Sequence, residues 1–317
     1  MKIRIFSCIS TAVLFFASSI ALASDWQPPG PVKLMIAFAA GGGADSQARL
    51  IAEDLESRKG WSFIPENVTG KGGLNLLNTM KGQPNDGTVI GIVVTESLAY
   101  NRLAASDSDL TLDDFTPITT TAGFQMGVVA LADSEFSNFD NVIAAAKTGK
   151  DIRFGVMSPR LADIAYLLGK ANDVDFNIVS LKGGKAVMNA LNAGDIDIGW
   201  GAGIQTKAVL AGDMVNIASG LHEPLAISPD APLLSDLGVE FSAGGHFLFV
   251  APGGMDDEVR ASYADAIAAI VDDESSKAGG LVAKAFGGAN VIMGSELDAK
   301  LLAETEDSTK LLEATAE

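Results

Sequence analysis

Three glycine-rich runs give this chain places where an anion could bind. They are Gly41 to Gly43, Gly70 to Gly73, and Gly183 to Gly184, and each is followed by a segment with a helical pattern. A helix that begins after glycines presents unpaired backbone N–H groups at the positive end of its dipole, and such groups bind phosphate or carboxylate. The alternative interpretation is that these glycines only form turns.

Known nucleotide-binding and catalytic motifs do not occur in the sequence. The P-loop pattern G-x-x-x-x-G-K-[ST] is missing, and Ser46 stands where G-x-G-x-x-G needs its last glycine. There is no G-x-S-x-G and no H-E-x-x-H, and His222 and His246 have no partner at metal-ligand spacing. We therefore expect no catalytic residue, no metal and no cofactor.

Alternating strand and helix patterns position the glycine runs. Residues 32–38 form a short apolar run that predicts a buried strand, and the helix after the first glycines carries apolar residues on one face. Those residues are Ala44, Ala48, Ile51 and Leu55. Residues 113–117 predict a turn, and residues 291–293 predict a late strand. Strand, glycine loop and helix in that order predict an α/β fold with ligands at the carboxyl ends of the strands.

Composition excludes several classes of protein. The chain has 317 residues, of which 48% are hydrophobic, so it can form a large core or two smaller ones. Lys and Arg number 22 against 40 Asp and Glu, a net charge of −18 that disfavours binding to nucleic acid or anionic lipid. The single cysteine, Cys8, excludes a disulfide scaffold or a cysteine zinc site.

The first residues have the pattern of a secretory signal peptide. Lys2 and Arg4 precede an apolar run over residues 5–22, and Ala21-Leu22-Ala23 is a cleavage site of the small-x-small type. A membrane anchor is the alternative. Cleavage near Ala23 would remove two positive charges, change the net charge from −18 to −20, and leave an exported protein, periplasmic in a Gram-negative cell. Because an exported protein meets little ATP or NAD, a small carboxylate is the anion that the loops favour.

Seven motifs, in order along the chain, resemble those of one family. The most specific is F-A-A-G-G-G-A-D-S-Q-A-R at 38–49, similar to an opening written F-A-P-G-G-G-x-D-x-x-A-R. The others are P-E-N at 65–67 with G-K-G-G-L-N at 70–75, P-N-D-G-T at 84–88, D-F-T-P-I at 114–118, K-G-G at 182–184 with A-L-N-A-G-D-I-D at 190–197, A-P-L-L-S-D-L-G at 231–238 and A-P-G-G at 251–254. The chain thereby resembles the solute receptors of tripartite tricarboxylate transporters, the TctC-like or Bug proteins.

The resemblance implies a bilobal periplasmic binding protein, similar to type II, with two mixed-sheet α/β lobes around a ligand cleft. It places the first lobe at residues 24–125 plus 241–317 and the second at 126–240, after a signal peptide at 1–23. The chain would cross between the lobes twice, near residues 126–131 and 246–250.

The resemblance also implies the ligand-binding residues. In the first lobe these are Phe38, Gly42, Gly43, Ala44, Asp45, Gly72 and Gly73. In the second lobe they are Ser158, Arg160, Lys182, Gly183 and Gly184. Arg160 and Lys182 would be cations for a second carboxylate, although Arg160 could equally be a solvated residue at a helix N-terminus. The sequence departs from the family at Ala40, Leu76, Leu181 and 156–160, mostly in the second lobe, so that part of the site transfers least.

The function implied is capture of a small mono-, di- or tricarboxylate by a monomeric receptor, followed by delivery to the membrane subunits of the transporter. Two alternatives stay open. One is a periplasmic sensor that passes its ligand state to a signalling kinase, and the other is an enzyme on the same scaffold.

Overall fold

A computed structural model describes residues 26–316, so the predicted signal peptide lies outside the described residues. In chain order the elements are β1 (Val32–Ile36), α1 (Gly43–Lys59), β2 (Phe63–Asn67), α2 (Leu74–Met80), β3 (Val89–Val94), α3 (Arg102–Ala104), β4 (Phe115–Gly123), β5 (Met126–Leu131), α4 (Phe139–Lys147), β6 (Arg153–Val156), α5 (Pro159–Ala171), β7 (Asn177–Ser180), α6 (Gly184–Ala193), β8 (Ile198–Ala202), α7 (Thr206–Ala211), β9 (Met214–Ser219), β10 (His246–Pro252), α8 (Asp257–Val271), α9 (Lys277–Phe286) and α10 (Gly294–Ala316). None of the helices in the described range is long and apolar enough to cross a bilayer.

The first α/β unit forms as its pattern predicts. Strand β1 is almost wholly buried, and the apolar face predicted for α1 packs into the core. Helix α1 ends at Lys59 and is capped by Gly60, whose φ of 72° is left-handed and therefore suits glycine. Strand, glycine loop and helix thus follow one another as the sequence indicates.

The first lobe contains a five-stranded mixed sheet in the order β2-β1-β3-β10-β4. Strands β1, β2 and β3 are parallel, whereas β10 is antiparallel to both β3 and β4. The glycine runs after β1 and β2 therefore lie at the same edge of the sheet, because the carboxyl ends of parallel strands meet there.

The second lobe repeats this plan with the order β7-β6-β8-β5-β9. Strand β6 is parallel to β7 and β8, and β5 is antiparallel to β8 and β9. Two mixed α/β sheets, one in each lobe, confirm the predicted fold class.

Two segments connect the lobes and are hydrogen-bonded to each other. The first crossing is Phe124-Gln125, between β4 and β5, and the second is the return segment 220–245, between β9 and β10. Phe124 N donates to Gly245 O (2.9 Å), and Gly220 N donates to Met126 O (2.8 Å). The lobe boundaries that the resemblance implies stay a prediction.

Two predicted elements differ from the structure. The turn predicted at 113–117 is a single 3₁₀ turn (Leu112–Asp114), after which β4 begins at Phe115 and continues to Gly123. Its centre is a run of buried threonines, so an apolar-run criterion misses it although threonine favours strands. The strand predicted at 291–293 is only an isolated bridge between Thr119 and Met293, because Thr120 Oγ1 accepts the bond from Ile292 N.

Candidate functional site

The first glycine loop, residues 39–43, leaves the N-terminus of α1 without a side-chain cap. Gly42 N donates to Ala39 O (3.1 Å), and the first bond within the helix runs from Ser46 N to Gly42 O (2.9 Å). The N–H groups of Gly43 and Ala44 therefore precede the first intrahelical bond. They are donors available to an anion at the positive end of the helix dipole.

The carboxylate of Asp45 holds the first glycine loop in place through hydrogen bonds. Its Oδ2 accepts from Gly41 N (2.8 Å), and its Oδ1 accepts from Arg49 Nε (2.9 Å) and Asn67 Nδ2 (2.8 Å). Burial opposes ionisation, but these hydrogen bonds and the charge of Arg49 hold the pKa of Asp45 below its usual value. The carboxylate is thus a positioning group for the loop, with both oxygens already used.

The second glycine loop, residues 70–73, packs on the segment after β3. Gly72 O accepts from Ser97 Oγ (2.7 Å) and from Asn101 Nδ2 (3.0 Å). Gly72 and Gly73 have φ of 60° and 98°, which favour glycine, and a Cβ on either would come within 2.5 Å of Asn101 or Ser97. A Cβ on Gly72 would also lie 3.2 Å from Ser158 Cβ in the second lobe, so this loop meets the opposite lobe directly.

The third glycine loop, residues 182–184, provides a matching helix N-terminus from the second lobe. Helix α6 begins at Gly184 with no side-chain cap, and Ala186 N donates the first bond to Gly183 O (2.9 Å). The N–H groups of Gly184 and Lys185 thus precede it. Residues at the N-termini of α1 and α6 line one cavity between the lobes.

Lys185 is a residue of the candidate site that the sequence analysis missed. Its ammonium crosses the cleft and lies 3.5 Å from Ala40 O in the first glycine loop. It would also lie 2.7 Å from a Cβ on Gly41, which as a glycine leaves room for it. The signal was present in the run Lys182-Gly183-Gly184-Lys185, whose second lysine falls in the first turn of α6.

A cavity of about 60 Å³ lies between the first and third glycine loops, and we call it the cleft cavity. It is lined by Phe38, Ala39, Gly42, Gly43, Ala44, Val94, Glu96, Phe124, Met126, Met157, Leu161, Lys182, Gly183, Gly184, Lys185, Ala202, Ile204 and Phe247. Its walls combine two helix N-termini and two lysines with an apolar surface. Such a mixture suits a small organic anion.

An aromatic cluster supports the apolar wall. The rings of Phe124 and Phe247, and those of Phe247 and Phe286, are each 4.9 Å apart in edge-to-face contact. A Cβ on Gly43 would come within 2.9 Å of Phe286 Cζ, so glycine at this position allows α9 to pack against the loop.

Seven of the twelve predicted ligand contacts line the cleft cavity, and five do not. The seven are Phe38, Gly42, Gly43, Ala44, Lys182, Gly183 and Gly184. Of the other five, Asp45, Gly72 and Gly73 lie in or beside the first two glycine loops, and Ser158 caps α5 by accepting from Leu161 N (3.3 Å). The fifth, Arg160, is hydrogen-bonded to the return segment and does not line the cleft cavity.

The guanidinium of Arg160 binds the return segment between the lobes. Its Nη1 donates to Gly244 O (2.7 Å) and its Nη2 to Ser242 O (2.6 Å). The nearest carboxylate oxygen is Glu96 Oε2, 3.7 Å from Nη1. Arg160 thus lines a second cavity of about 800 Å³ at the crossings, the hinge cavity. Its charged and titratable lining residues are Glu96, Arg160, His222, Glu223, Glu240, His246, Lys300, Glu304 and Asp307.

Glu96 is the second residue that the sequence analysis missed. It lies two residues after the end of β3, is only 6% exposed, and lines both cavities. Burial raises the pKa of its carboxyl, although the charge of Arg160 acts in the opposite direction. A single acidic residue after an apolar strand carries no motif, so nothing in the sequence marked it.

Comparison with known proteins identifies the family. The family model of the tripartite tricarboxylate transporter family receptor, TctC, matches residues 47–307. The chain is 28% identical over 272 residues to a Cupriavidus necator protein, the UPF0065 protein in gbd 5'region (83% of this chain, 81% of the relative). It is 24% identical over 285 residues to Protein BugT of Bordetella pertussis, with 81% of each chain covered.

Solved structures agree on the fold. An R. palustris protein determined with adipate has a TM-score of 0.80 at 22% identity, covering 92% of this chain and 99% of that one. MatC from Rhodopseudomonas palustris, with bound malate, has a TM-score of 0.78 at 18% identity, with 90% and 99% covered. The periplasmic binding protein BugD gives 0.78 at 22% identity, with 92% and 99% covered. The chain belongs to the TctC family of tripartite tricarboxylate transporter receptors and is a solute-binding receptor.

Proposed function

We propose that this receptor captures a small organic carboxylate in the cleft cavity and delivers it to the membrane subunits of a tripartite tricarboxylate-type transporter. The observation that carries the proposal is the pair of uncapped helix N-termini, α1 and α6, that face the cavity from opposite lobes. Lys182 and Lys185 add positive charge to the same space. A carboxylate is the ligand whose charge and geometry use both features.

Capture would proceed by closure of the lobes around the ligand. Over residues 26–316 two crossings join the lobes, and Lys185 already contacts the opposite lobe through Ala40 O. Closure removes water from the cleft, so each hydrogen bond from a backbone N–H to the anion strengthens. Two structural relatives were determined with adipate and with malate, and both ligands are organic carboxylates.

The protein would act as a monomer in the periplasm after cleavage near Ala23, with no catalytic turnover of its ligand. Because the whole chain has a net charge of −18, the positive potential that attracts the anion must be local. Backbone dipoles and two lysines provide it within an acidic surface.

Thermal-shift measurements with mono-, di- and tricarboxylates, each paired with its amide, test the proposal. We expect carboxylates to raise the melting temperature and the amides not to do so. A ligand present at 100 times its Kd adds about 2.7 kcal/mol to the free energy of unfolding. Mass spectrometry of the recovered acid should show it unchanged. If no carboxylate stabilises the protein, the proposal fails.

The variant Gly43→Val should abolish this stabilisation. Its side chain would cover the N–H groups of Gly43 and Ala44 and collide with Phe286, while the free energy of unfolding should change by no more than about 2 kcal/mol. Gly30→Val is the matched control, because no atom lies within 4 Å of a Cβ at Gly30. Calorimetry that found the same Kd in Gly43→Val as in the unmodified protein would refute the assigned site.

A further inference from the structure

A single turn of chain after β3 contacts both the second glycine loop and the opposite lobe. Residues Ser97–Asn101 form a π turn, a rare element that is frequent at functional sites. The side chains at both ends of this turn donate to Gly72 O. Tyr100, in the same turn, donates from its hydroxyl to Asp163 Oδ2 on α5. Because the turn follows a strand of the first sheet and α5 follows a strand of the second, this hydrogen bond joins the two lobes.

The Tyr100–Asp163 pair lies where water is largely excluded. Tyr100 is 0% exposed and Asp163 is half-buried. Helix α10 packs on both the π turn and α5, and Thr315 near its end is hydrogen-bonded with the Tyr100 hydroxyl. Burial raises the pKa of Asp163, whereas the hydrogen bond from Tyr100 acts in the opposite direction. The bond from Tyr100 thus offsets part of the cost of burying this carboxylate.

The bond between Tyr100 and Asp163 depends on how the lobes are arranged. A hydrogen bond is lost when its heavy atoms separate beyond about 3.5 Å, so a displacement of α5 by about 1 Å is enough to break it. Neither residue lines the cleft cavity or the hinge cavity. The bond therefore acts on the arrangement of the lobes and not on a ligand directly.

We propose that Tyr100 and Asp163 form a clasp that holds the lobes closed, and that this clasp sets the fraction of the ligand-free receptor that is already closed. Opening of the lobes breaks the bond and exposes the carboxylate to water. A receptor that is only partly closed binds with an affinity reduced by its closed fraction, so the clasp also sets the apparent Kd. The effect on Kd rests on the proposed function, whereas the effect on the ligand-free receptor does not.

Pulsed electron paramagnetic resonance on the mature protein measures the closed fraction. Cys8 lies in the predicted signal peptide, so the mature chain has no cysteine of its own. Spin labels can be attached at Ser57→Cys on α1 and Asn192→Cys on α6, both exposed and in different lobes. In ligand-free Tyr100→Phe the ratio of the short-distance to the long-distance population should fall by about tenfold, because the buried carboxylate of Asp163 loses its donor.

A double-mutant cycle separates the clasp from a general loss of packing. Asp163→Leu leaves the Tyr100 hydroxyl without this acceptor, so it should also open the receptor, and it serves as the second variant if Tyr100→Phe does not fold. The double variant Tyr100→Phe/Asp163→Leu should be more closed than the sum of the two single effects predicts, because removing both polar partners leaves neither one unsatisfied. In calorimetry, the Kd of each variant for a carboxylate should rise by the factor by which its closed fraction falls.

Tyr166→Phe is the matched control, since it removes the hydroxyl of an exposed tyrosine on the same helix, and it should change neither the distances nor Kd. The clasp is wrong if Tyr100→Phe has the same distance distribution as Tyr166→Phe, or if the two effects in the cycle simply add. If no carboxylate binds to the unmodified protein, the proposed function fails, and the ligand-free distances still decide whether the clasp exists.

Discussion

The cleft cavity and the hinge cavity differ in the sign and the source of their charge. The cleft cavity is lined by two lysines, one glutamate and the N-termini of two helices. The hinge cavity is lined by five acidic residues against one arginine and one lysine, together with both histidines. Glu96 and Phe124 line both of them. If the cleft cavity binds the anion as we propose, a strongly acidic protein keeps its anion site by using backbone dipoles, which add no residue charge to the surface.

His246 adds no positive charge to the hinge cavity. His246 is mostly buried at the start of β10, and burial together with Lys300 lowers its pKa to about 4. It is therefore neutral at physiological pH and adds no positive charge to the crossings.

The largest effect on this comparison should come from Arg160→Ala. The change removes two hydrogen bonds to the return segment and leaves Glu96 without its nearest cation, and it should lower the free energy of unfolding by about 3 kcal/mol. Chemical denaturation measures this loss. Arg160→Lys should recover only part of it, because lysine cannot bind both carbonyls as a fork.

The affinity of Arg160→Ala for a carboxylate tests whether the hinge cavity takes part in ligand binding. Because Arg160 does not line the cleft cavity, Arg160→Ala should change the Kd for a carboxylate by less than about fivefold under conditions where the variant is folded. A loss as large as that of Gly43→Val would mean that Arg160 contacts the ligand after all, as the sequence resemblance implied.

Lys185→Ala should have a smaller effect, confined to ligand binding in the cleft cavity. Removing the ammonium beside the first glycine loop should weaken carboxylate binding by about tenfold, a typical value for one charge-assisted contact. Exposed Lys147 on α4 of the same lobe is the control, since Lys147→Ala makes the same change of net charge away from the cavity. Equal effects of the two variants would show that only overall charge matters.

The smallest effect should be the change in acid stability of Asp45→Asn. The pKa of Asp45 is lowered in the folded protein, so its ionised form stabilises the fold above the usual pKa of 3.8, and that stability is lost as the pH falls through the folded value. At neutral pH the variant should lose about 1–2 kcal/mol through its weakened bonds to Gly41 and Arg49.

Denaturation curves between pH 7 and pH 3 measure the effect of Asp45→Asn. The variant should approach the unmodified protein in stability as the pH falls below about 4, because protonation then makes the two side chains alike. A constant difference over the whole range would show that the charge of Asp45 contributes nothing.

The sequence predicted the parts of the site that are local in the chain. The first glycine loop and α1 follow from a buried strand, three glycines and an apolar helix face, all within residues 32–59. The glycine loop at Gly183-Gly184 was predicted for the same reason, whereas Lys182 as a ligand contact came from the resemblance to the family. Backbone N–H groups at a helix N-terminus need no distant partner, so a short pattern is enough to predict them.

Contacts between the lobes could not be predicted from short sequence patterns, because they join residues that are distant in the chain. Arg160 lies in the first turn of α5, yet its partners are Ser242 and Gly244, more than eighty residues further on. Glu96 is recognised as part of the candidate site only from its burial between two cavities. Lys185 is recognised only from its contact with Ala40 O across the cleft. Strand β4 was missed because its threonines are buried by pairing with β10, which is distant in sequence.

A crystal structure with a tightly binding carboxylate tests the central claim most directly. The ligand should lie in the cleft cavity with its carboxylate oxygens about 3 Å from the N–H groups of Gly43 and Ala44 and within reach of those of Gly184 and Lys185. A ligand in the hinge cavity, or anywhere away from residues 41–45 and 182–185, would contradict the account.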